Sequence, residues 1–365
     1  MDPIYNYSLC AALPLMLFFG FYFLFARTPE KAIFDNFLRS RRIMGAAMLL
    51  LAANYSVHFF MKVRFNDADA AILMNLSTYF LCYWLFSSAL TTLLDRKYIT
   101  RRRLLAHMSL WVLYSASSCI VLKLLPEGTA QTVAILALAV WLVVYGLFLT
   151  WRLLRTYHRV IRIFNETHAD DIGAYIKWLS VFTYWAVIFG VGCGLLTFLP
   201  DQYVYIIWIL MSIPFYIYLF LCYLNYMLFY EQVENAMEVN EELDHFEAEP
   251  MQDAPSYHAE IAERIKGWVN ADGYVRTGLT IKDLSEQFHT NRTYLSEFIN
   301  ATYGVSFRDW ITGLRIEYAK RLLVQYPKLT LADISERSGF LSPSHFIRIF
   351  KENAGCTPAR WRKSS

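Results

Sequence analysis

Two polar side chains interrupt a long apolar run and are the first groups along the chain that could do chemistry. Asn54 and His58 lie four residues apart, which places an amide and an imidazole on one face of a helix. Because polar groups are costly to bury in an apolar environment, they indicate either hydrogen bonds between helices or an intramembrane sensing site for a ligand or a proton. The sequence leaves both interpretations open.

Recognisable catalytic motifs are absent from the sequence. It contains no H-E-x-x-H, G-x-S-x-G, P-loop or kinase signature, and its six cysteines form no C-x-x-C pair. Five of these cysteines lie in apolar runs, where cysteine behaves as a small hydrophobic residue. We therefore expect a protein that is not an enzyme, without a metal, a cofactor or a disulfide framework.

The composition favours a membrane protein. Of the 365 residues, 56% are hydrophobic and 18% are charged, whereas about a quarter are charged in soluble domains. A helix needs about 20 apolar residues to cross a bilayer. Seven runs reach about this length: 4–26, 43–61, 70–94, 104–125, 132–151, 178–199 and 203–230. We expect a seven-helix transmembrane bundle over residues 1–230 that acts as a sensor or an anchor.

Basic residues between these runs predict the direction in which the chain crosses the membrane. The loops after the first, third and fifth runs carry 15 Lys and Arg residues, whereas the alternate loops carry two, Lys62 and Arg64. Because Lys and Arg are enriched in cytoplasmic loops, the N-terminus is expected outside and the C-terminus inside. The longest external loop is only 62–69, so no folded external receptor domain is expected.

An acidic helical connector, residues 231–255, follows the last apolar run. It carries nine acids and no Lys or Arg. The 4-3-4-3 spacing of a coiled-coil seam is found at Phe229, Val233, Ala236, Asn240 and Leu243. Since this seam is only about two heptads long, it predicts either a homodimer through residues 229–243 or a solvated spacer. Glu249 to Pro255 predicts a break before a C-terminal domain at 256–365.

The C-terminal domain contains an internal repeat with a spacing of 50 to 51 residues. Leu279–Glu286 matches Leu329–Glu336, and Gly304–Trp310 matches Gly355–Trp361. Repeats of this kind mark duplicated supersecondary elements. Each copy predicts a helix, a tight turn and a second helix.

Capping residues place the first helix of each copy. Thr280 and Thr330 are N-cap candidates, and the acids three residues later, Asp283 and Asp333, complete a capping box. Gly339 occupies the turn between the second pair of helices, where a positive φ is needed. The pattern predicts two helix-turn-helix motifs.

The second helix of each copy also has a start signal. It follows Asn291 in copy one and Ser342 in copy two, with Pro343 at the first helical position. A long helix at about 306–325 joins the copies, and its apolar residues can pack on both. The expected fold class is therefore all-α, with two helix-turn-helix motifs joined by a linker helix.

These C-terminal residues resemble the DNA-binding region of the AraC/XylS family of transcription regulators. The resemblance covers about 260–363, and its most specific stretch is ADISERSGFLSPSHFIRIFKENAGCTPARWR at 332–362. Leu314–Leu323 is similar to the linker helix of that family. The resemblance implies a bacterial protein whose two recognition helices enter successive major-groove segments, about 34 Å apart. With the loop charges, it predicts a multi-pass protein of the bacterial cytoplasmic membrane.

The resemblance also assigns individual residues to DNA. Base edges would be met by Arg292, Thr293, Ser296 and Glu297 in copy one and by Ser344, His345 and Arg348 in copy two. Phosphates would be met by Asn291, Ser342 and Lys351. Arg348 could bind a guanine through two hydrogen bonds, and Glu297 could accept one from a cytosine amine.

Three functions are consistent with these features. The first is a membrane-embedded one-component transcription regulator that binds promoter DNA under an unknown membrane or external signal, with the lipid bilayer and RNA polymerase as further partners. The second is a transporter or membrane enzyme with an appended regulatory DNA-binding domain, which would need ionisable clusters or broken helices in the spans. In the third, the spans only tether the regulator.

Overall fold

The computed structural model describes residues 3–196, 202–244 and 255–364, and every regular element in these ranges is a helix. The chain divides into two compact units. The first is Met1–Val160 with Ile176–Glu231, and the second is Ile161–Tyr175 with Gln232–Ser365. The second unit thus includes a segment, 161–175, that the sequence places in the membrane domain.

Long apolar helices build the first unit. They are α1 Pro3–Phe25, α2 Asp35–Met61, the short α3 Val63–Asn66, α4 Ala68–Thr92, α5 Arg101–Lys123, α6 Thr129–Thr167, α7 Gly173–Leu196 and α8 Gln202–Asp244. Within the described residues, seven helices are long and apolar enough to cross a membrane, and they correspond to the seven predicted runs. Helices α6 and α8 extend well beyond those runs, which end at residues 151 and 230. Their last turns, and the first residues of α7, belong to the second unit.

Aromatic rings and glycines pack these helices together. Helix α1 packs on α2, α2 on α4, and α4 on α5. Phe80 of α4 stacks on Tyr114 of α5 and Tyr145 of α6, with ring centroids 4.5 and 4.1 Å apart. A Cβ added at Gly45 of α2 would lie 3.0 Å from the Gly20 carbonyl oxygen of α1. Small residues therefore allow the close approach of α1 and α2.

The second unit contains seven further helices in its described residues. They are α9 Pro255–Asn270, α10 Ile281–Gln287, α11 Arg292–Tyr303, α12 Phe307–Gln325, α13 Leu331–Arg337, α14 Pro343–Ala354 and α15 Pro358–Ser364. One core joins α9, α10, α11 and the first half of α12, and another joins the second half of α12 to α13, α14 and α15. The predicted pair of helix-turn-helix motifs on one linker helix, α12, is confirmed.

The predicted capping boxes are also confirmed. Thr280 Oγ1 accepts from the Asp283 amide at 3.1 Å, and Asp283 Oδ2 accepts from the Thr280 amide at 2.9 Å. The corresponding reciprocal pair is present at the start of α13. Gly339 has the expected positive φ, +79°, and His289 takes its place in copy one with a φ of +51°. Nothing in the sequence indicates the positive φ of His289, because such an angle is uncommon outside glycine.

Helix α8 continues into the acidic connector as far as Asp244 and passes Pro214 without ending. Two positions of the predicted seam, Val233 and Ala236, are buried within the single chain. The Asn240 and Leu243 side chains and the predicted break after Glu249 lie outside the described residues. The homodimer stays a prediction, and it would require Val233 and Ala236 to become exposed.

Gly339→Ala is expected to destabilise the second helix-turn-helix motif. A Cβ at this position would clash with the Val275 carbonyl oxygen, and the left-handed backbone alone costs alanine about 1–2 kcal/mol. Gly313→Ala in α12 is the control, because no atom lies within 4 Å of its added Cβ. Hydrogen exchange of α13 and α14 in the detergent-solubilised full chain measures the stability of the motif in both variants. Equal protection in Gly339→Ala and Gly313→Ala would contradict the predicted destabilisation.

Candidate nucleic-acid interface

Helices α11 and α14 are the second helices of the two motifs and carry the residues assigned to DNA. Asn291 Oδ1 caps α11 by accepting from the Tyr294 amide at 2.7 Å. Ser342 Oγ caps α14 by accepting from the His345 amide at 3.3 Å, with Pro343 in the first turn. The inward faces are fixed by buried residues, namely Leu295, Phe298 and Ile299 in α11 and Phe346, Ile349 and Phe350 in α14.

The side chains predicted to contact DNA differ in exposure. The exposed group is Thr293, Glu297, Ser344, Arg348 and Lys351. The half-buried group is Asn291, Arg292, Ser296, Ser342 and His345. The side-chain oxygens of Asn291 and Ser342 already accept the capping hydrogen bonds. These residues would therefore bind a phosphate by donating a hydrogen bond, from the Asn291 side-chain amide and from the Ser342 hydroxyl.

A short stretch between α6 and α7, which the sequence does not predict to take part, belongs to this domain. His168 forms an antiparallel bridge with Thr280, and the Ala169 amide donates to the Leu279 carbonyl at 2.9 Å. Ala169 is buried in the core formed by α9 to α12. We call residues 168–171 the docking segment.

Asp170 anchors the docking segment on the linker helix. Its Oδ1 accepts from Arg315 Nη1 at 2.8 Å, and its Oδ2 accepts from the Gly278 amide at 2.8 Å. The other Arg315 nitrogens, Nε and Nη2, donate to the carbonyl oxygens of Tyr274 and Arg276 at 2.8 and 2.6 Å. The Arg315 and Asp170 side chains are 2% and 6% exposed. Each of these buried charges therefore depends on the other for neutralisation.

Asp171 contacts the second recognition helix. Its Oδ2 lies 2.6 Å from Arg348 Nη2, 3.6 Å from His345 Nε2 and 3.2 Å from Arg308 Nη2 of α12. Burial alone would raise the pKa of Asp171, but the neighbouring His345, Arg308 and Arg348 hold it well below its usual range. Burial alone would lower the pKa of Arg348, but its hydrogen bonds to Asp171 and Glu352 raise this pKa above its usual value. A charged carboxylate thus holds two residues assigned to DNA.

The sequence holds one signal for the docking segment. Asp170 and Asp171 are adjacent acids in a loop whose flanking charges are mostly basic. The direction in which the chain crosses the membrane is predicted from Lys and Arg, because Asp and Glu have little effect on it. That prediction therefore gives Asp170 and Asp171 no role. A pair of acids in a basic loop is a reason to look for a cationic partner elsewhere in the chain.

Asn54 and His58 belong to a polar network between α2 and α4. Asn54 Nδ2 donates to Asn75 Oδ1 at 3.1 Å and to Thr78 Oγ1 at 3.2 Å. His58 Nε2 lies 2.9 Å from the same Asn75 oxygen. The network joins two helices, and it leaves open whether these residues also sense a ligand or a proton. Asn54 Oδ1 and His58 Nδ1 have no hydrogen-bond partner among the described residues, and both side chains line a small cavity with Tyr5.

Comparison with known proteins identifies the C-terminal domain. Residues 284–364 match the family described as Helix-turn-helix domain. The HTH-type transcriptional regulator ExsA of Pseudomonas aeruginosa is 37% identical over 83 residues, which are 23% of this chain and 30% of ExsA. The virulence regulon transcriptional activator VirF of Yersinia enterocolitica is 34% identical over 85 residues, 23% of this chain and 31% of VirF. The chain thus matches about a third of the length of these relatives.

One solved structure is also similar to part of this chain. The C-terminal domain of the two-component response regulator yesN from Fusobacterium nucleatum aligns with 28% of this chain and 96% of its own, at 31% identity and a TM-score of 0.26. On the family match and the regulator relatives, the C-terminal part of this chain is an AraC-type helix-turn-helix domain.

Ser342→Asp is expected to keep the start of α14 and to weaken DNA binding. Aspartate caps a helix as well as serine does, but it brings a negative charge to the phosphates. Ser342→Ala is the matched variant, since it adds no charge and loses about 1 kcal/mol of capping. Hydrogen exchange of α14 and the anisotropy of a labelled mixed-sequence duplex measure the two effects. If Ser342→Asp bound DNA as tightly as the wild type, Ser342 would not be a phosphate contact.

Proposed function

We propose that the protein is a membrane-embedded, one-component transcription regulator that binds promoter DNA sequence-specifically through its two helix-turn-helix motifs. The observation that carries this proposal is the pair of capped motifs on one linker helix, α12, in a chain that also has seven membrane-capable helices. ExsA and VirF are named as transcription regulators, which supports the same role for the matching residues here. RNA polymerase and a homodimer through residues 229–243 are further partners in this proposal.

The proposed location is the bacterial cytoplasmic membrane, with the N-terminus outside and the DNA-binding domain in the cytoplasm. The support is the loop charge, 15 Lys and Arg on one side against two on the other, together with the length and apolarity of the helices. This orientation places the helix-turn-helix domain in the compartment that contains DNA.

We further propose that the network of Asn54, His58 and Asn75 is where the membrane helices respond to a signal. The two unpaired atoms, Asn54 Oδ1 and His58 Nδ1, supply an acceptor and a ring nitrogen beside a cavity, so a small polar ligand or a proton would find partners there. If this network only packed the helices together, substitutions in it would leave the regulation of DNA binding unchanged.

Genome-wide chromatin pull-down of the tagged full-length protein in its own host is expected to recover short sites read in two parts about 10 base pairs apart. Arg348→Ala should lower the affinity for such a site by about 1–3 kcal/mol relative to mixed-sequence duplex. Lys351→Ala is the control and should weaken binding to both duplexes alike. Recovery of no site would contradict DNA binding, and unchanged discrimination in Arg348→Ala would remove its base contact.

The same pull-down, with transcript levels, tests the sensing role. Asn75→Leu removes the shared acceptor of the network, and we expect altered occupancy at an unchanged amount of protein in the membrane. Wild-type occupancy and transcripts in this variant would reduce the network to packing.

Reporter fusions test the topology. Alkaline phosphatase, which folds only outside the cytoplasm, should be active when fused after Gly128, in a predicted external loop. The matched fusion after Arg102, in a predicted cytoplasmic loop, should be inactive at an equal expression level. The reverse pattern would place the helix-turn-helix domain outside and contradict the proposed function.

A further inference from the structure

The docking segment is held by two acids in different environments. The Asp170–Arg315 pair is 6% and 2% exposed and has further hydrogen bonds to backbone groups. In the Asp171–Arg348 pair the Asp171 side chain is 11% exposed but the arginine side chain is 46% exposed, so the two pairs differ mainly in their arginines. Breaking a fully buried ion pair is strongly unfavourable, whereas a pair open to water exchanges at little cost. The first contact is therefore suited to anchoring and the second to switching.

Asp171 occupies the groups that Arg348 would offer to DNA. Arg348 Nη2 bonds Asp171 at 2.6 Å, and its Nη1 bonds Glu352 at 3.0 Å, so both ends of the guanidinium fork face carboxylates. Bidentate recognition of a guanine uses the same fork of N–H donors. A fixed negative charge on α14 also repels the phosphates beside the groove. Arg348 therefore cannot offer the same donors to Asp171 and to a guanine at one time.

We propose that Asp171 is an internal competitor of DNA for the second recognition helix. Asp170 keeps the docking segment anchored on α12, and DNA binding requires the Asp171 carboxylate to leave Arg348 and His345. The inference rests on the proposed function, since it needs α14 to bind DNA.

The position of the docking segment connects this competition to the membrane helices. Helix α6 ends at Thr167 and α7 begins at Gly173, so the docking segment and Ile172 form the whole connection between two membrane-capable helices. A shift or rotation of either helix end changes the path of this connection. Because the Arg348 side of the contact with Asp171 is open to water, a small bias is enough to change DNA affinity several-fold.

Asp171→Asn in the full-length protein in nanodiscs is expected to bind DNA about three- to tenfold more tightly than wild type. The probe is a labelled duplex of about 40 base pairs that contains a site recovered by pull-down of the wild type. Glu166→Gln is the control, because it removes the same charge five residues away, near the end of α6, and Glu166 has no ion pair among the described residues. An unchanged or weaker affinity in Asp171→Asn would overturn the competition.

A double-mutant cycle separates competition from a general loss of negative charge. Removing the charge at Asp171 should help binding through Arg348, so the gain should largely vanish when Arg348→Ala is already present. A gain of equal size in the Arg348→Ala background would show that Asp171 acts only through long-range repulsion and would overturn the role of the contact.

A reversible disulfide tests the anchor without changing either acid. His168 and Thr280 are bridge partners, and the Ala169 to Leu279 hydrogen bond makes them a close, non-hydrogen-bonded pair. The double variant His168→Cys, Thr280→Cys should form a disulfide on mild oxidation in membrane vesicles. The oxidised protein should bind the duplex as tightly as the same protein after reduction. Failure to link would overturn docking. A loss of affinity of about tenfold on linking would show that the whole segment must leave, and would overturn the anchor.

These outcomes also distinguish this inference from the proposed function. If no protein, including Asp171→Asn, binds any duplex, the DNA-binding function fails and the competition fails with it. If the wild type binds its sites and Asp171→Asn binds them equally well, the function stands and only the competition is overturned.

Discussion

The buried guanidinium of Arg315 is the interaction on which the arrangement of the C-terminal unit depends. It lies in the middle of α12, and its donors reach the carbonyl oxygens of Tyr274 and Arg276 and the Asp170 carboxylate. A charge at this depth is tolerated only with a counter-charge and satisfied hydrogen bonds. Since Asp170 supplies that counter-charge from a loop between two apolar helices, the linker helix is completed by a residue from outside the helix-turn-helix repeat.

Local features of the C-terminal domain could be predicted from the sequence because their causes are local. Thr280 with Asp283 and the Asn291 cap each involve residues three positions apart, and the structure contains both. Gly339 is a comparable case, since only glycine suits a turn with a φ of +79° whose Cβ position is occupied by the Val275 carbonyl. The repeat reinforces these signals because each one occurs in both copies.

The contacts of the docking segment could not be predicted in the same way. Asp170 and Arg315 are 145 residues apart, and Asp171 and Arg348 are 177 apart. In the sequence, Arg315 is a basic residue in an amphipathic helix, where a solvated side chain is the ordinary expectation. Arg315 is buried because α12 packs against both the Gly273–Val275 turn and the docking segment. The periodicity of apolar residues in α12 does not indicate these long-range contacts.

The choice of acids for this role follows from the constraints on the loop. Under the proposed topology, the segment between the fifth and sixth predicted runs, 152–177, must keep its Lys and Arg residues, because these hold it in the cytoplasm. Asp and Glu contribute little to orientation, so an acid can be placed there without disturbing the topology. An acid is also the one charge type that can imitate a phosphate toward a recognition helix. Asp171 meets both conditions, whereas a basic residue at that position would add to the affinity for DNA instead of competing with it.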